Sequence, residues 1–231
     1  MIRGLIFDFD GLILDTETPV FQSWQELFQE QGCQLSLSDW ADDIGRAEAT
    51  FDFLVHLEHQ LGRPVDRETL SAPRREREAQ LIDQQPVRHG VREYLDRARQ
   101  LGLKLGVASS SPCEWVTGHL SRLGLYEFFD CIRGADDVLA TKPAPDLYLA
   151  VLEGLGLQTE EAIALEDSPN GITAAKQAGL CCVAVPNPLT RDLPVDHADL
   201  RLDSLADLDL DELLWLLTGQ AGRHWNGGGR S

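Results

Sequence analysis

Two aspartates, Asp8 and Asp10, follow directly on a short apolar run, Leu5 to Phe7, and precede Gly11. A bounded apolar run of this kind reads as a buried strand, and at a strand end residues i and i+2 project to the same side. Two carboxylates held together repel unless a divalent cation lies between them, or unless one stays protonated and serves as a general acid. Taken alone, Asp-x-Asp-Gly is equally compatible with a solvated turn. A second acid pair, Glu166 and Asp167, ends the run Ala162 to Leu165 and leads into Ser168-Pro169-Asn170-Gly171. Ser168 and Pro169 suit the N-cap and first position of a helix. Capping has no use for the two acids, which are therefore assigned to a metal.

Two further segments carry groups suited to an anion. Ala108-Ser109-Ser110-Ser111-Pro112 closes the run Leu103 to Ala108. Hydroxyls and free backbone N–H groups ahead of a helix form an anion-binding edge, or, read in isolation, an ordinary helix cap. Lys142 is one of three lysines, with Lys104 and Lys176, and lies in the stiff turn Thr141-Lys142-Pro143-Ala144-Pro145-Asp146. Held near the strand ends, its ammonium would neutralise both a phosphate and a nucleophilic carboxylate. The alternative is a loop lysine facing solvent.

The elements that must position these groups are legible as alternating patterns. Apolar runs at Leu5 to Phe7, Leu103 to Ala108, Cys131 to Ile132, Ala162 to Leu165 and Cys181 to Val185 read as buried parallel strands. Between them lie helical patterns: Val91 to Leu101 before Gly102, Trp115 to Leu123 before Gly124, and Pro145 to Gly156. This alternation predicts an α/β fold, a Rossmann-like parallel sheet with helices on both faces and ligands at the carboxyl ends of the strands. Residues 15–84 break the rhythm with helix signals at Val20 to Phe28 and Phe51 to Leu61 and read as a helical insert over the mouth of the sheet. The expected organisation is a catalytic core of residues 1–14 and 85–217, a small helical domain of residues 15–84 inserted after the first strand, and a disordered tail, residues 218–231, containing Gly227, Gly228 and Gly229.

Composition bounds the function from outside. A chain of 231 residues that is 43% hydrophobic can bury a full core. Its formal charge of −18, from 38 acidic and 20 basic residues, repels nucleic-acid phosphates and anionic membrane surfaces, so neither partner is expected. Asp8 stops the first apolar run before it could serve as a signal or a membrane span. The expectation is a cytoplasmic monomer with its five cysteines reduced. Several conspicuous residues take plain readings: His56 and His59 as surface or partly buried residues, Trp24, Trp40 and Trp115 as packing, Arg74, Arg75 and Arg77 as a solvated helix face paired with Glu76 and Glu78, and the acidic series Asp199 to Glu212 as a solvated edge.

In order and spacing, the four strand-end segments resemble the four motifs of the haloacid dehalogenase superfamily. The helical insert resembles the cap of its β-phosphoglucomutase-like subgroup, and the resemblance spans Met1 to Leu217. It implies a Mg²⁺-dependent phosphatase acting on a small phosphorylated metabolite of the sugar or polyol class. Asp8 would be the nucleophile, forming an aspartyl phosphate, and Asp10 the acid and base. Ser109 and the N–H of Ser110 would hold the phosphoryl oxygens, with Lys142 bridging Asp8 and the phosphate. Mg²⁺ would be held by Asp8, the carbonyl of Asp10 and Asp167, with Glu166 a direct or water-mediated partner. Substrate choice falls to the cap, with Glu17 at the hinge and Arg46, more than Glu48, as candidate contacts. The mutases of the subgroup carry a cap histidine where this chain has Val20, which favours hydrolysis over the alternative, a sugar-phosphate mutase.

Overall fold

The structure, a computed structural model, describes residues 1–40 and 51–219. Among the described residues six strands form one sheet: β1 (Gly4–Phe7), β2 (Lys104–Ala108), β3 (Cys131–Arg133), β4 (Ala162–Glu166), β5 (Cys181–Ala184) and β6 (Leu200–Arg201), in the order β3-β2-β1-β4-β5-β6 with every pairing parallel. β1 lies between β2 and β4, with Phe7 opposite both Val107 and Leu165. The chain leaves β1 toward β2 on one side and returns to β4 on the other, so a crevice opens at the carboxyl end of β1.

The strands are buried on both faces, which is why their sequences run continuously apolar instead of alternating with polar residues. Leu5, Phe7, Val107, Ile163 and Leu165 enter one core with α5 (Val91–Leu101) and α6 (Cys113–Arg122). Ile6, Ala162, Ala164 and Cys182 enter the other, with α7 (Asp146–Leu155) and α8 (Pro169–Gln177). All three helical patterns expected in this half match observed helices to within a few residues. Ser168 caps α8 by accepting from Gly171 N–H at 3.2 Å, and Pro169 takes its first position.

The acidic series Asp199 to Glu212 is not merely a solvated edge. It holds β6 and the start of α9 (Leu210–Thr218), and Leu205, Leu210 and Leu213 are buried. Its acids do structural work on the opposite side: Asp209 caps α9, Asp211 pairs with Arg97 at 2.6 Å, and Asp199 accepts from Cys182 N–H at 2.7 Å and from Lys176. The dense acids mask a leucine pattern whose spacing is helical. The expected tail lies almost wholly outside the described residues.

Between β1 and α5 the described residues form four helices: α1 (Glu17–Glu30), α2 (Leu37–Trp40), α3 (Phe53–Leu61) and α4 (Arg67–Asp83). Phe21, Leu27, Phe28, Trp40, Phe53, Leu54 and Leu57 form a hydrophobic cluster of their own. Phe21 stacks on Trp40 with centroids 5.7 Å apart and Trp24 on Phe53 at 4.4 Å. Each such side chain gains roughly 1.5–3 kcal/mol by leaving water. Asp52 and Asp66 begin α3 and α4 by accepting backbone N–H groups.

Candidate active site

β1 delivers Asp8 to the crevice, where it is only 5% exposed. The Lys142 ammonium donates to Asp8 Oδ1 and, at 2.6 Å, to Glu166 Oε1. Tyr148, on α7, donates its hydroxyl to the same Glu166 oxygen, and the N–H of Asp167 donates to Glu166 Oε2 at 3.2 Å. Glu166 is completely buried. It fits because residue 171 is glycine: a Cβ there would overlap the carboxylate. Burial opposes the charge on Lys142, but Asp8 and Glu166 more than offset it, so its pKa is raised and the lysine stays cationic.

Asp10 is held by different partners. Ser111 Oγ and Ser109 Oγ donate to its Oδ2 at 2.7 and 3.2 Å, and Trp115 Nε1 donates to Oδ1 at 3.0 Å. Three donors on two oxygens give this carboxylate a defined orientation. Trp115, expected as packing, is thus a ligand of Asp10. Ser109 is fully buried and also accepts from Ser111 N–H at 3.0 Å. The cavity wall is made by its neighbours Ser110 and Ser111. Ser110 Oγ is buried and makes no hydrogen bond among the described residues, an unfilled valence of the kind that an incoming oxyanion satisfies.

Asp167 is positioned from the far side. Asn187 donates its side-chain amide to Asp167 Oδ2 at 2.7 Å, while its own carbonyl accepts from the N–H groups of Leu189 and Thr190. Arg88 ties the loops together by donating to the carbonyls of Gly11, Val185 and Pro186. Gly11 adopts φ +85°, and a Cβ there would overlap Asp167. Glycine is required here on both counts.

Asp8, Glu166 and Asp167 offer carboxylate oxygens that all lie within 4.8 Å of one another, and all three residues are buried. Burial pushes the pKa of Asp8 well up, with Glu166 and Asp10 adding to it and Lys142 opposing. Burial does the same to Asp167, reinforced by Asp8, Glu166 and Glu17 and opposed by Arg88. A cluster of buried oxygens carrying more negative charge than one lysine balances is the donor set of a hard divalent cation. The residues present therefore fit Mg²⁺.

The cavity over these groups has a volume of about 350 Å³. Its floor includes Asp8, Asp10, Lys142 and Asp167, and its cap side includes Glu17, Val20 and Glu78. Arg46 and Glu48 lie outside the described residues.

The sequence profile described as haloacid dehalogenase-like hydrolase matches residues 5–185, most of the chain. The chain belongs to the haloacid dehalogenase-like hydrolase family. It is 48% identical over 220 residues to YhcW of Bacillus subtilis (strain 168), covering 95% of this chain and 100% of that one. It is 30% identical to hexitol phosphatase B of Escherichia coli (strain K12), covering 92% and 97%. Its fold superposes with a TM-score of 0.71 on the crystal structure of a CbbY mutant from Rhodobacter sphaeroides in complex with xylulose-(1,5)-bisphosphate, 30% identical over 90% of this chain and 96% of that one.

Within this haloacid dehalogenase-like hydrolase, the residues that surround the motifs were the ones hidden in the sequence. Tyr148, Trp115 and Asn187 contact their acids, and Arg88 the carbonyls of the site's loops, from other elements of the chain, and each lies in a stretch with an ordinary packing or turn reading. Arg74 also departs from expectation. With its side chain only 9% exposed, it lies over the Trp24 ring at 4.3 Å, donates to Ser23 Oγ at 3.1 Å and pairs with Glu78. Arg77 reaches across to Glu26 at 2.7 Å. The packing of α1 on α4 covers a face that looks solvent-exposed from charge alone.

Proposed function

We propose that this protein is a Mg²⁺-dependent phosphatase of a phosphorylated sugar or polyol, working through an aspartyl phosphate on Asp8. The observation that carries this reading is the Lys142 ammonium bonded to Asp8 and Glu166 at the floor of a cavity that also holds Asp10 and the unpaired Ser110 hydroxyl. A resident cation neutralises Asp8 and the phosphate it approaches. The names of relatives such as hexitol phosphatase B support the substrate class.

In the first step an Asp8 carboxylate oxygen attacks phosphorus, the bond from phosphorus to the ester oxygen breaks, and Asp10 gives its proton to the departing oxygen. In the second, Asp10, now a carboxylate, takes a proton from water as that water attacks phosphorus. The bond between phosphorus and Asp8 then breaks, and inorganic phosphate leaves. The Ser110 hydroxyl and backbone N–H receive the phosphoryl oxygens, and Ser109, Ser111 and Trp115 keep Asp10 aimed. Asp8, the Asp10 carbonyl and Asp167 would hold Mg²⁺, which when bound neutralises the phosphoryl charge. Glu166 holds Lys142 and stands at the edge of the metal site. Residues 15–84 serve as the cap.

A mutase must keep water from the aspartyl phosphate while the substrate turns over. The presence of Val20 on the cavity wall, where the mutases carry histidine, favours hydrolysis. The test is to incubate purified protein and Mg²⁺ with a panel of phosphorylated sugars and polyols and follow free phosphate, with β-glucose 1-phosphate and a trace of its 1,6-bisphosphate included. Phosphate release that disappears with EDTA is expected. Glucose 6-phosphate formed with negligible phosphate release would replace this reading with the mutase.

A further inference from the structure

The cap side of the cavity is built around a fixed carboxylate. We infer that Glu78 is a specificity-determining residue, which accepts hydrogen bonds from hydroxyl groups of the leaving group and disfavours substrates that carry a second phosphate there. The inference rests on the phosphatase reading above and deepens it by naming what the cavity takes beyond the phosphate.

Glu78 lines the same cavity as Asp8, Asp10 and Lys142, yet it belongs to α4, not to any strand end. It is held on one oxygen only: Arg74 pairs with Oε2 one helical turn back. Arg74 is itself fixed by the Trp24 ring and Ser23, both on α1, so the pair is braced across two helices. Glu78 Oε1 takes no hydrogen bond among the described residues. Its side chain is 23% exposed, and the residue lines the cavity. A carboxylate oxygen with open valences, immobilised by a buried guanidinium, is a preorganised acceptor for hydroxyls. Arg74 occupies Oε2 and leaves Oε1 as the acceptor for a ligand. Lys142, on the same cavity, lies at the floor beside Asp8. A phosphate is therefore received beside Lys142 at the floor, and the rest of the molecule meets the Glu78 carboxylate. A neutral polyhydroxylated group can donate to Glu78 Oε1, whereas a second phosphate brought against that carboxylate oxygen is repelled.

The test compares wild type, Glu78→Gln and Glu78→Leu on sorbitol 6-phosphate, fructose 1,6-bisphosphate and p-nitrophenyl phosphate, reading kcat/KM for each, with circular dichroism and thermal unfolding to confirm the fold. Glu78→Leu, which keeps bulk and removes the acceptor, is expected to lower kcat/KM for sorbitol 6-phosphate at least about tenfold more than for p-nitrophenyl phosphate, which has no hydroxyl to offer. Glu78→Gln keeps a partner for Arg74 and removes the charge. It is expected to raise the bisphosphate-to-monophosphate ratio of kcat/KM by about fivefold or more, and it carries the test if the leucine variant does not fold. Equal losses on all three substrates, or an unchanged bisphosphate ratio in Glu78→Gln, would overturn the inference while leaving the phosphatase reading standing. A wild-type protein that releases phosphate from none of them would overturn both.

Discussion

Asn187 donates its side-chain amide to Asp167 Oδ2 across 2.7 Å, although the two residues come from loops after different strands. The same amide group accepts two backbone N–H groups through its carbonyl, so its orientation is fixed before any ligand arrives. Asp167 is thus aimed by a buried neighbour from another loop. Partners of this kind typically control metal affinity by 10- to 100-fold. Asn187→Ala should therefore raise the Mg²⁺ concentration for half-maximal activity by about that factor, with a smaller fall in turnover at saturating Mg²⁺. A Mg²⁺ titration of phosphate release checks this, and an unchanged midpoint would show that Asp167 needs no such support.

Asp8→Asn should reduce kcat by at least about a thousandfold, because a carboxamide is no nucleophile here. The same variant reports on stability. Burial raises the pKa of Asp8 above the ordinary carboxylate value. Between those two values the folded chain holds a proton that the unfolded chain has lost, so this group's contribution favours folding at low pH and is lost as pH rises through the raised value. In EDTA, the unfolding midpoint of Asp8→Asn should therefore climb relative to wild type as pH increases from about 4 to 8, by an amount on the order of a few degrees. A gap independent of pH would contradict the assignment. Mg²⁺ should raise the wild-type midpoint at neutral pH.

The three donors on Asp10 predict a leaving-group effect. Trp115→Phe removes the 3.0 Å bond to Oδ1 while keeping an aromatic ring. A hydrogen bond to a charged group is worth roughly 1.5–3 kcal/mol, so kcat on an alkyl phosphate should fall about tenfold or more. On p-nitrophenyl phosphate, whose leaving group needs little protonation, the fall should be several times smaller. Parallel losses on both substrates would mean that Trp115 acts on binding or packing and not on the acid.

Helical glycines usually gain from replacement by alanine, by about 0.5–1 kcal/mol. Gly171 in α8 should do the opposite, since its Cβ would overlap the buried Glu166 carboxylate. Gly171→Ala should destabilise the fold by roughly 1–3 kcal/mol and lower activity through Lys142. Gly118, in α6, has nothing within 4 Å of its would-be Cβ, so Gly118→Ala is the stabilising control. Urea unfolding of the two variants beside wild type decides the signs.

Local sequence determined a good deal of this protein. Asp8 and Asp10 had to face one crevice because they directly follow a run too apolar to end anywhere but in a core. The glycines and prolines that stop each helix near its observed end made the parallel sheet legible, because connections between parallel strands need crossovers. Asp167 and the serine turn were visible for the same reason, since each stands where a buried run stops, and Lys142 was visible as a rare lysine in a proline-flanked turn.

Tertiary structure alone decided which groups meet. Glu166 turns inward to Lys142 and Tyr148 because Gly171 leaves it room, and Ser109 and Ser111 turn to Asp10 while the Ser110 hydroxyl is left for the cavity. Trp115 reads as packing from its helical spacing, and only the approach of α6 to the end of β1 brings its N–H to a carboxylate. Arg74 and Glu78 read as a solvated pair until α1 covers them. Sequence periodicity reports which side of an element is buried. Partners more than a hundred residues away are set by how the elements pack, and no local pattern encodes that.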